Sequence, residues 1–166
     1  QGARTPNELL RTEGVETDLV VHGWELDPRI AARLGSVLER RRPHVVHTHL
    51  PLADVHGSAA AILRDVPVVS TRYAVEASSL SVPLRHAQRA ATAVQDHVIA
   101  DSQLAAAGLE KEGVAASRVS LVRPGFDPSA MDGARRWPVR AEWGAGPDDL
   151  LIGSVTELVE EQDLTS

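Results

Sequence analysis

The chain contains no cysteine, which excludes disulfide bonds and thiolate metal sites among its 166 residues. No apolar run approaches the roughly 20 residues that a membrane-spanning helix needs. The net charge is −6 with no basic stripe, which argues against a nucleic-acid-binding protein. No G-x-G-x-x-G sequence opens a strand–helix unit, so the dinucleotide-binding fingerprint is also lacking. The length remains sufficient for one α/β domain with a buried core.

What the chain does have is a series of five short segments, each an apolar run that stops at a small or polar residue. In order they are RRPHVVHTHL, VPVVSTRY, HVIADS, GVAASRVSLVRPGFD and LLIGSVTELVEEQDL. An apolar run that ends at a small or polar residue is typical of the carboxyl end of a parallel strand, where open α/β sheets bind ligands. Helical patterns of about 10–15 residues separate the segments and indicate βαβ units.

The predicted elements alternate along the chain. Helices are expected from Asn7 to a break at Gly14, from Pro28 to a stop at Pro43, over 54–64, over 83–94, and from an N-cap at Ser102 to Gly113. Strands are expected at 15–22, 45–48, 66–71, 97–100, 119–122 and 150–155. The high density of proline and glycine over 124–149 predicts a linker with one short helix near 139–143.

The order and spacing of the five segments resemble the family 4 retaining glycosyltransferases, which have the two-domain GT-B architecture. RPHVVHTHL is similar to a family strand end, VPVVSTRY to its T-x-H segment, and RVSLVRPGFD to the entrance of its interdomain hinge. The resemblance covers roughly residues 8 to 164 and implies a Rossmann-like parallel sheet with helices on both faces. It implies hexosyl transfer from a nucleotide-sugar to a sugar or lipid acceptor, with retention of configuration.

The same resemblance predicts the domain organisation. Residues 1–123 correspond to the N-terminal, acceptor-side domain, 124–149 to the interdomain linker, and 150–166 to the first strand and loop of a donor-side domain. The family's first strand and its donor-binding carboxylates have no counterpart in this sequence. We therefore expect the chain to be a fragment that is inactive alone, whose partners include the remainder of its own donor-side domain.

Polar residues at two strand ends are the candidate acceptor site. By resemblance, His49, Asp54 and Arg72 contact the acceptor, and Tyr73 occupies the position of a family histidine next to the transferred sugar. A phenol can hydrogen-bond a hydroxyl group, but its ordinary pKa of about 10 prevents proton shuttling near neutral pH. His47 is interpreted as a hydrogen-bonded core histidine.

The donor side departs from the family pattern. Gly125 and Asp127 are predicted to shape the turn at the hinge. Ser154 lies in the last predicted strand. Glu157 and Gln162 stand at positions where the family has an arginine and a lysine that hold the donor diphosphate. A carboxylate repels a diphosphate, so this departure favours a second hypothesis: a degenerate, non-catalytic module that binds sugar or a partner chain.

A third hypothesis is a metallohydrolase, because His47, His49, Asp54 and His56 combine imidazole and carboxylate ligands that suit zinc. The spacing departs from H-x-H-x-D-H, and no later His/Asp cluster completes the set. The glycosyltransferase resemblance implies no metal or other cofactor, only the nucleotide-sugar as co-substrate. It also implies a cytoplasmic protein with peripheral membrane contact, although the arginines at 40–42 fit a solvated helix end.

Overall fold

Parallel strands alternate with helices in the computed structural model, which describes residues 6–21, 23–74, 80–131, 139–146 and 148–152. The chain consists of two compact units, residues 1–124 and 125–166. The strands are β1 (Val46–His49), β2 (Val68–Arg72), β3 (His97–Ala100) and β4 (Val119–Leu121). They form one parallel sheet in the order β1-β2-β3-β4, so each crossover joins neighbouring strands. The predicted α/β, Rossmann-like class is therefore confirmed.

The first two helices lie close to their predicted bounds. Helix α1 covers Pro6–Thr12 and is followed by Gly14, whose φ of +78° is readily adopted only by glycine. Helix α2 covers Pro28–Arg41; the side chain of Asp27 caps it by accepting a hydrogen bond from the backbone N–H of Arg29. Arg42 ends α2 in the left-handed conformation, one residue before Pro43.

Three further helices cover one face of the sheet. They are α3 (Pro51–Ile62), α4 (Val82–Val94) and α5 (Gln103–Lys111). The hydroxyl oxygen of Ser81 caps α4 through Leu84 N–H, and that of Ser102 caps α5 through Ala105 N–H. The predicted cap at Ser102 is confirmed. Helix α3 starts at Pro51 instead of Asp54, because a proline fits the first helical position without losing a hydrogen bond.

The core lies between the sheet and these helices. Val98 and Ala100 of β3 pack against Ala105 and Leu109 of α5 in a buried apolar cluster. Helix α3 approaches β1 closely at Gly57, where an added Cβ would lie 2.6 Å from Thr48 Cγ2. The sheet thus holds α3 at a distance that only a residue without a side chain allows.

The strand predicted at 15–22 is wrong over residues 15–21, which carry no strand; residue 22 lies outside the described part. Polar contacts hold this segment instead: Arg11 Nε donates to Thr17, Arg33 to the Val21 carbonyl, and Arg41 to Asp18 at 3.0 Å. A strand needs a hydrogen-bonded neighbour. No described segment pairs with the outer edge of β1, so the apolar run at 19–21 lacks that neighbour.

In the second unit, the described residues form a 3-10 turn at Pro128–Met131 and a short helix, α6 (Val139–Glu142), close to the predicted one. Residues 150–152 carry no strand, so that prediction is wrong for its described part, and residues 153–155 lie outside it. Arg140 instead donates to the Asp149 carbonyl at 2.7 Å, which draws the backbone into a loop. In the part of the chain that the structure describes, no helix is both long and apolar enough to span a lipid bilayer.

Candidate functional site

Four polar side chains lie on one face of the sheet at the carboxyl ends of β1 and β2. His47 Nε2 is 2.9 Å from Thr71 Oγ1, and His49 Nδ1 is 2.9 Å from the Tyr73 hydroxyl. The two histidine rings lie side by side, with their centroids 4.3 Å apart. We call His47, His49, Thr71 and Tyr73 the histidine–tyrosine edge.

The strand period and the register together produce this grouping. His47 and His49 are two residues apart, so their side chains share a face, while Thr48 points to the other. The register aligns His49 with Thr71, which brings Tyr73 to the same end of the sheet. His47, interpreted from the sequence as a core histidine, is instead an exposed residue that keeps one side-chain hydrogen bond.

The protonation of His47 follows from this position. Desolvation by the surrounding protein lowers the pKa of His47 below its ordinary value of 6.5. The nearby His49 lowers it further, because two imidazolium charges at this distance repel each other, while Asp54 opposes the shift. His47 is therefore neutral at pH 7 and can hydrogen-bond Thr71 in either tautomer.

Asp54 lies on the opposite side of the sheet and is completely buried. Its carboxylate accepts a hydrogen bond from the Thr48 hydroxyl at 2.6 Å and another from Gln88 Nε2 at 3.0 Å. Burial raises the pKa of Asp54, against the lowering effect of these two donors and of Arg72. The contacts connect β1, α3 and α4 and place Asp54 inside the core, away from the open surface beside His49.

Arg72 is also buried, with 7% of its surface exposed. One guanidinium nitrogen lies 3.2 Å from a carboxylate oxygen of Glu112, and the other donates to Thr92 Oγ1 at 2.7 Å. Its Nε has no hydrogen-bond partner among the described residues. The structure therefore brings His49 and Tyr73 together, whereas Asp54 and Arg72 are buried. The predicted contact of Asp54 and Arg72 with an acceptor stays a prediction.

A cavity of about 450 Å³ opens beside the histidine–tyrosine edge. Among the described residues, it is lined by residues 49–53, Leu80 and Leu84, of which His49 alone has an ionisable side chain. Leu50 has φ 74° and ψ 152°, a region that is almost exclusive to glycine. Backbone strain of this kind costs about 1–3 kcal/mol and concentrates at functional sites.

The cavity has no clear signature in the sequence. The one available signal was Pro51, because a residue before proline avoids the helical region and a proline favours the first helical position. That signal places the start of α3 but does not indicate a positive φ at a leucine.

The remaining predicted residues lie elsewhere. Asp127 accepts a hydrogen bond from the backbone N–H of Ser129 at 2.9 Å, and hydrogen bonds from Ser129 lower the pKa of Asp127. Gly125 belongs to the second unit, like Asp127. Ser154, Glu157 and Gln162 lie outside the described residues.

The metallohydrolase set is not assembled. His47 and His49 share one face, Asp54 bonds Thr48 on the other, and His56 Nε2 lies 2.7 Å from the Glu25 carbonyl oxygen. Within the described ranges, no group of three or more His, Asp or Glu residues could hold a metal ion.

Comparison with known proteins finds a family match that covers nearly all of the first unit. The sequence model of a protein family described as Glycosyltransferase Family 4 matches residues 3–130. No curated protein matches the chain closely enough in sequence to count as a relative.

Solved structures share the fold at low sequence identity. Anabaena HepE in complex with UDP is 17% identical with a TM-score of 0.62, covering 83% of this chain and 39% of that one. A glycosyltransferase from Rickettsia africae is 13% identical with a TM-score of 0.60, covering 86% and 38%. The UDP-GlcNAc 2-epimerase from Neisseria meningitidis, bound to UDP-GlcNAc, is 16% identical with a TM-score of 0.56, covering 82% and 40%. The chain thus spans about two-fifths of the length of these structures.

Proposed function

The chain belongs to Glycosyltransferase Family 4, and on that premise we propose that it is the acceptor-side part of a retaining hexosyltransferase. The reaction would move a hexosyl group from a nucleotide-sugar to a hydroxyl group of a sugar or lipid acceptor. The observation that supports this proposal most directly is the His49–Tyr73 pair, which stands at the carboxyl edge of a parallel sheet beside an open cavity.

The histidine–tyrosine edge offers the hydrogen-bonding groups that a sugar hydroxyl requires. His49 Nε2 is the ring nitrogen that does not take part in the bond to Tyr73, and the phenol can both donate and accept. In this proposal His49 and Tyr73 bind and orient the acceptor hydroxyl, while the departing donor phosphate takes its proton. In this proposal Tyr73 contributes a hydrogen bond to the acceptor and takes no part in proton transfer.

The donor is proposed to be a nucleotide-sugar. Fold neighbours have been solved with UDP and with UDP-glucose, and those ligands belong to proteins more than twice as long as this chain. We expect the 166-residue chain alone to transfer no sugar, because Glu157 and Gln162 stand where the family has the arginine and lysine that hold the donor diphosphate. Sugar transfer from UDP-glucose by the purified chain would contradict this part of the proposal.

Acceptor binding is the direct test. Saturation-transfer NMR with a panel of methyl hexosides should detect binding to the chain, and His49→Ala should abolish it. His97→Ala is the matched control, because His97 makes a similar histidine–hydroxyl contact with Ser120 at 2.9 Å on the same sheet. If no hexoside binds, or if both variants behave alike, the assignment of His49 is wrong.

A second candidate is a non-catalytic sugar-binding module. Glu157 and Gln162 in place of the family's arginine and lysine favour it, as does Tyr73 in place of a histidine. Both candidates predict acceptor binding at the histidine–tyrosine edge. They differ in donor binding, which titration of UDP-glucose into the chain joined to a complete donor-side domain would measure.

A further inference from the structure

The apolar cavity adjoins the groups that the proposed function assigns to the acceptor, and this inference rests on that function. His49 lines the cavity and also contacts Tyr73. A molecule bound at the histidine–tyrosine edge therefore has direct access to the cavity, whose volume of about 450 Å³ suits a small organic group.

The lining selects the chemistry of that group. Apart from His49, the described residues of the cavity wall are leucine, proline and alanine: Leu50, Pro51, Leu52, Ala53, Leu80 and Leu84. Such a wall cannot replace the water bound to sugar hydroxyls or phosphate groups, so burying them there is unfavourable. Hydrocarbon groups bind to it favourably, because their burial removes apolar surface from water on both sides.

The backbone at Leu50 is a second, independent observation. Its φ of 74° would suit glycine, yet the residue is a leucine that leaves 56% of its surface exposed. An exposed side chain contributes little to the core, so packing alone does not explain why a strained position holds a leucine. In the cavity wall, the leucine side chain offers an apolar surface to a bound group, which a glycine could not offer.

We propose that the acceptor is a hexoside with an apolar, alkyl-type aglycone, and that the cavity beside His49 binds this aglycone. The sugar lies at the histidine–tyrosine edge, while the hydrocarbon next to its glycosidic oxygen enters between Leu50, Leu80 and Leu84. The acceptor class is then a lipid-linked sugar, and a free sugar would bind more weakly.

The test uses the 166-residue chain and three probes: methyl, butyl and hexyl β-D-glucoside, each below its aggregation concentration. Dissociation constants from NMR titration should fall with alkyl length, by at most about fourfold for each methylene group that becomes buried. The variant Ala53→Phe fills the cavity and should bring hexyl glucoside to the affinity of methyl glucoside. Leu104→Ala removes a 71% exposed leucine on α5 and should leave all three affinities unchanged.

Leu50→Gly is a second variant, which removes a wall residue and relieves the strained φ at the same time. Relief of the strained φ should raise the thermal midpoint by on the order of 3 °C, whereas the loss of a wall residue should reduce the alkyl-length effect severalfold. If Leu50→Gly is more stable than the wild type but no longer prefers hexyl glucoside, the side chain of Leu50 serves binding and not stability.

Two results would overturn the inference while leaving the proposed function intact: equal affinity for methyl and hexyl glucoside, or a chain-length effect that survives Ala53→Phe. In both cases, methyl glucoside binding that is lost in His49→Ala would still support the acceptor site. Absence of binding by all three glucosides would overturn both proposals.

Discussion

The imidazole of His49 and the phenol of Tyr73 meet across the edge of the sheet, with 2.9 Å between Nδ1 and the hydroxyl oxygen. One side chain comes from the last residue of β1, and the other from the residue immediately after β2. Both remain in contact with solvent, unlike the Asp54 network behind the sheet. The pair is therefore a polar contact at a surface rather than a support for the core.

Tyr73→Phe is expected to weaken methyl hexoside binding about fivefold, because one hydrogen bond contributes about 1 kcal/mol. The ring remains, so the sheet edge keeps its packing. The free energy of unfolding should change by at most about 1 kcal/mol, because the half-buried Tyr73 loses only its hydroxyl group. NMR titration and urea denaturation measure the two quantities.

Ser120→Ala is the matched control for that variant. It removes a hydroxyl that lies 2.9 Å from His97 Nε2, on a strand at the other edge of the sheet. It should leave hexoside affinity unchanged. Equal loss of affinity in the two variants would show that the binding site is not at Tyr73.

The buried carboxyl of Asp54 predicts a pH effect on stability. Burial raises the pKa of Asp54 above its ordinary value of 3.8, so the folded state binds its proton more tightly than the unfolded state does. The resulting stabilisation is complete below pH 3.8 and is lost as the pH rises through the folded-state pKa. From pH 7 down to about 4, the wild type should gain free energy of unfolding relative to Asp54→Asn, which cannot titrate.

Urea denaturation of both proteins at several pH values measures this difference. The titratable groups that the two proteins share contribute equally to both free energies of unfolding, so their effect cancels in the difference. Thr48→Val provides a further check, since it removes a donor that favours the ionised form. In Thr48→Val, the Asp54 carboxyl should stay protonated to a higher pH than it does in the wild type. A constant difference between wild type and Asp54→Asn across this range would contradict the assignment.

The sequence predicted those elements whose local signals agree with their tertiary surroundings. The strand at His97–Ala100 and the cap at Ser102 were predicted to the residue, because a short apolar run between Asp96 and Asp101 has clear ends. The run at 15–22 carried the same local signal. A strand in this segment, however, would need a neighbouring strand to pair with, and local sequence does not encode that neighbour. Polar contacts from Arg33 and Arg41 hold the segment instead.

The site was predicted in part for a similar reason. A period of two residues along a strand implies that His47 and His49 share a face, but not that Asp54 and Arg72 turn into the core. Their burial depends on Gln88, Thr92 and Glu112, which lie far away in sequence. The cavity wall includes Leu50, whose positive φ is one that sequence patterns assign to glycine.

The open edge of β1 predicts an alternating pattern of amide exchange. The Val46 N–H donates to the Pro67 carbonyl at 2.8 Å, so even-numbered amides of β1 face β2. A parallel strand turns successive N–H groups to opposite sides. The His47 and His49 amides should therefore exchange with solvent at least about tenfold faster than Thr48, as measured by hydrogen–deuterium exchange NMR. Equal protection of His47 and Thr48 would mean that another segment pairs with this edge.

The contact between Gly57 and β1 predicts that two glycine-to-alanine changes in helices have opposite effects. Gly108→Ala in α5 meets nothing within 4 Å and should raise the free energy of unfolding by about 0.5–1 kcal/mol through helix propensity. Gly57→Ala should lower it by about 1–2 kcal/mol, because its Cβ would lie 2.6 Å from Thr48 Cγ2. Adding Thr48→Ser removes that methyl group, keeps the hydroxyl that bonds Asp54, and should restore most of the loss. Equal stabilisation by both single changes in urea denaturation would mean that α3 lies farther from the sheet.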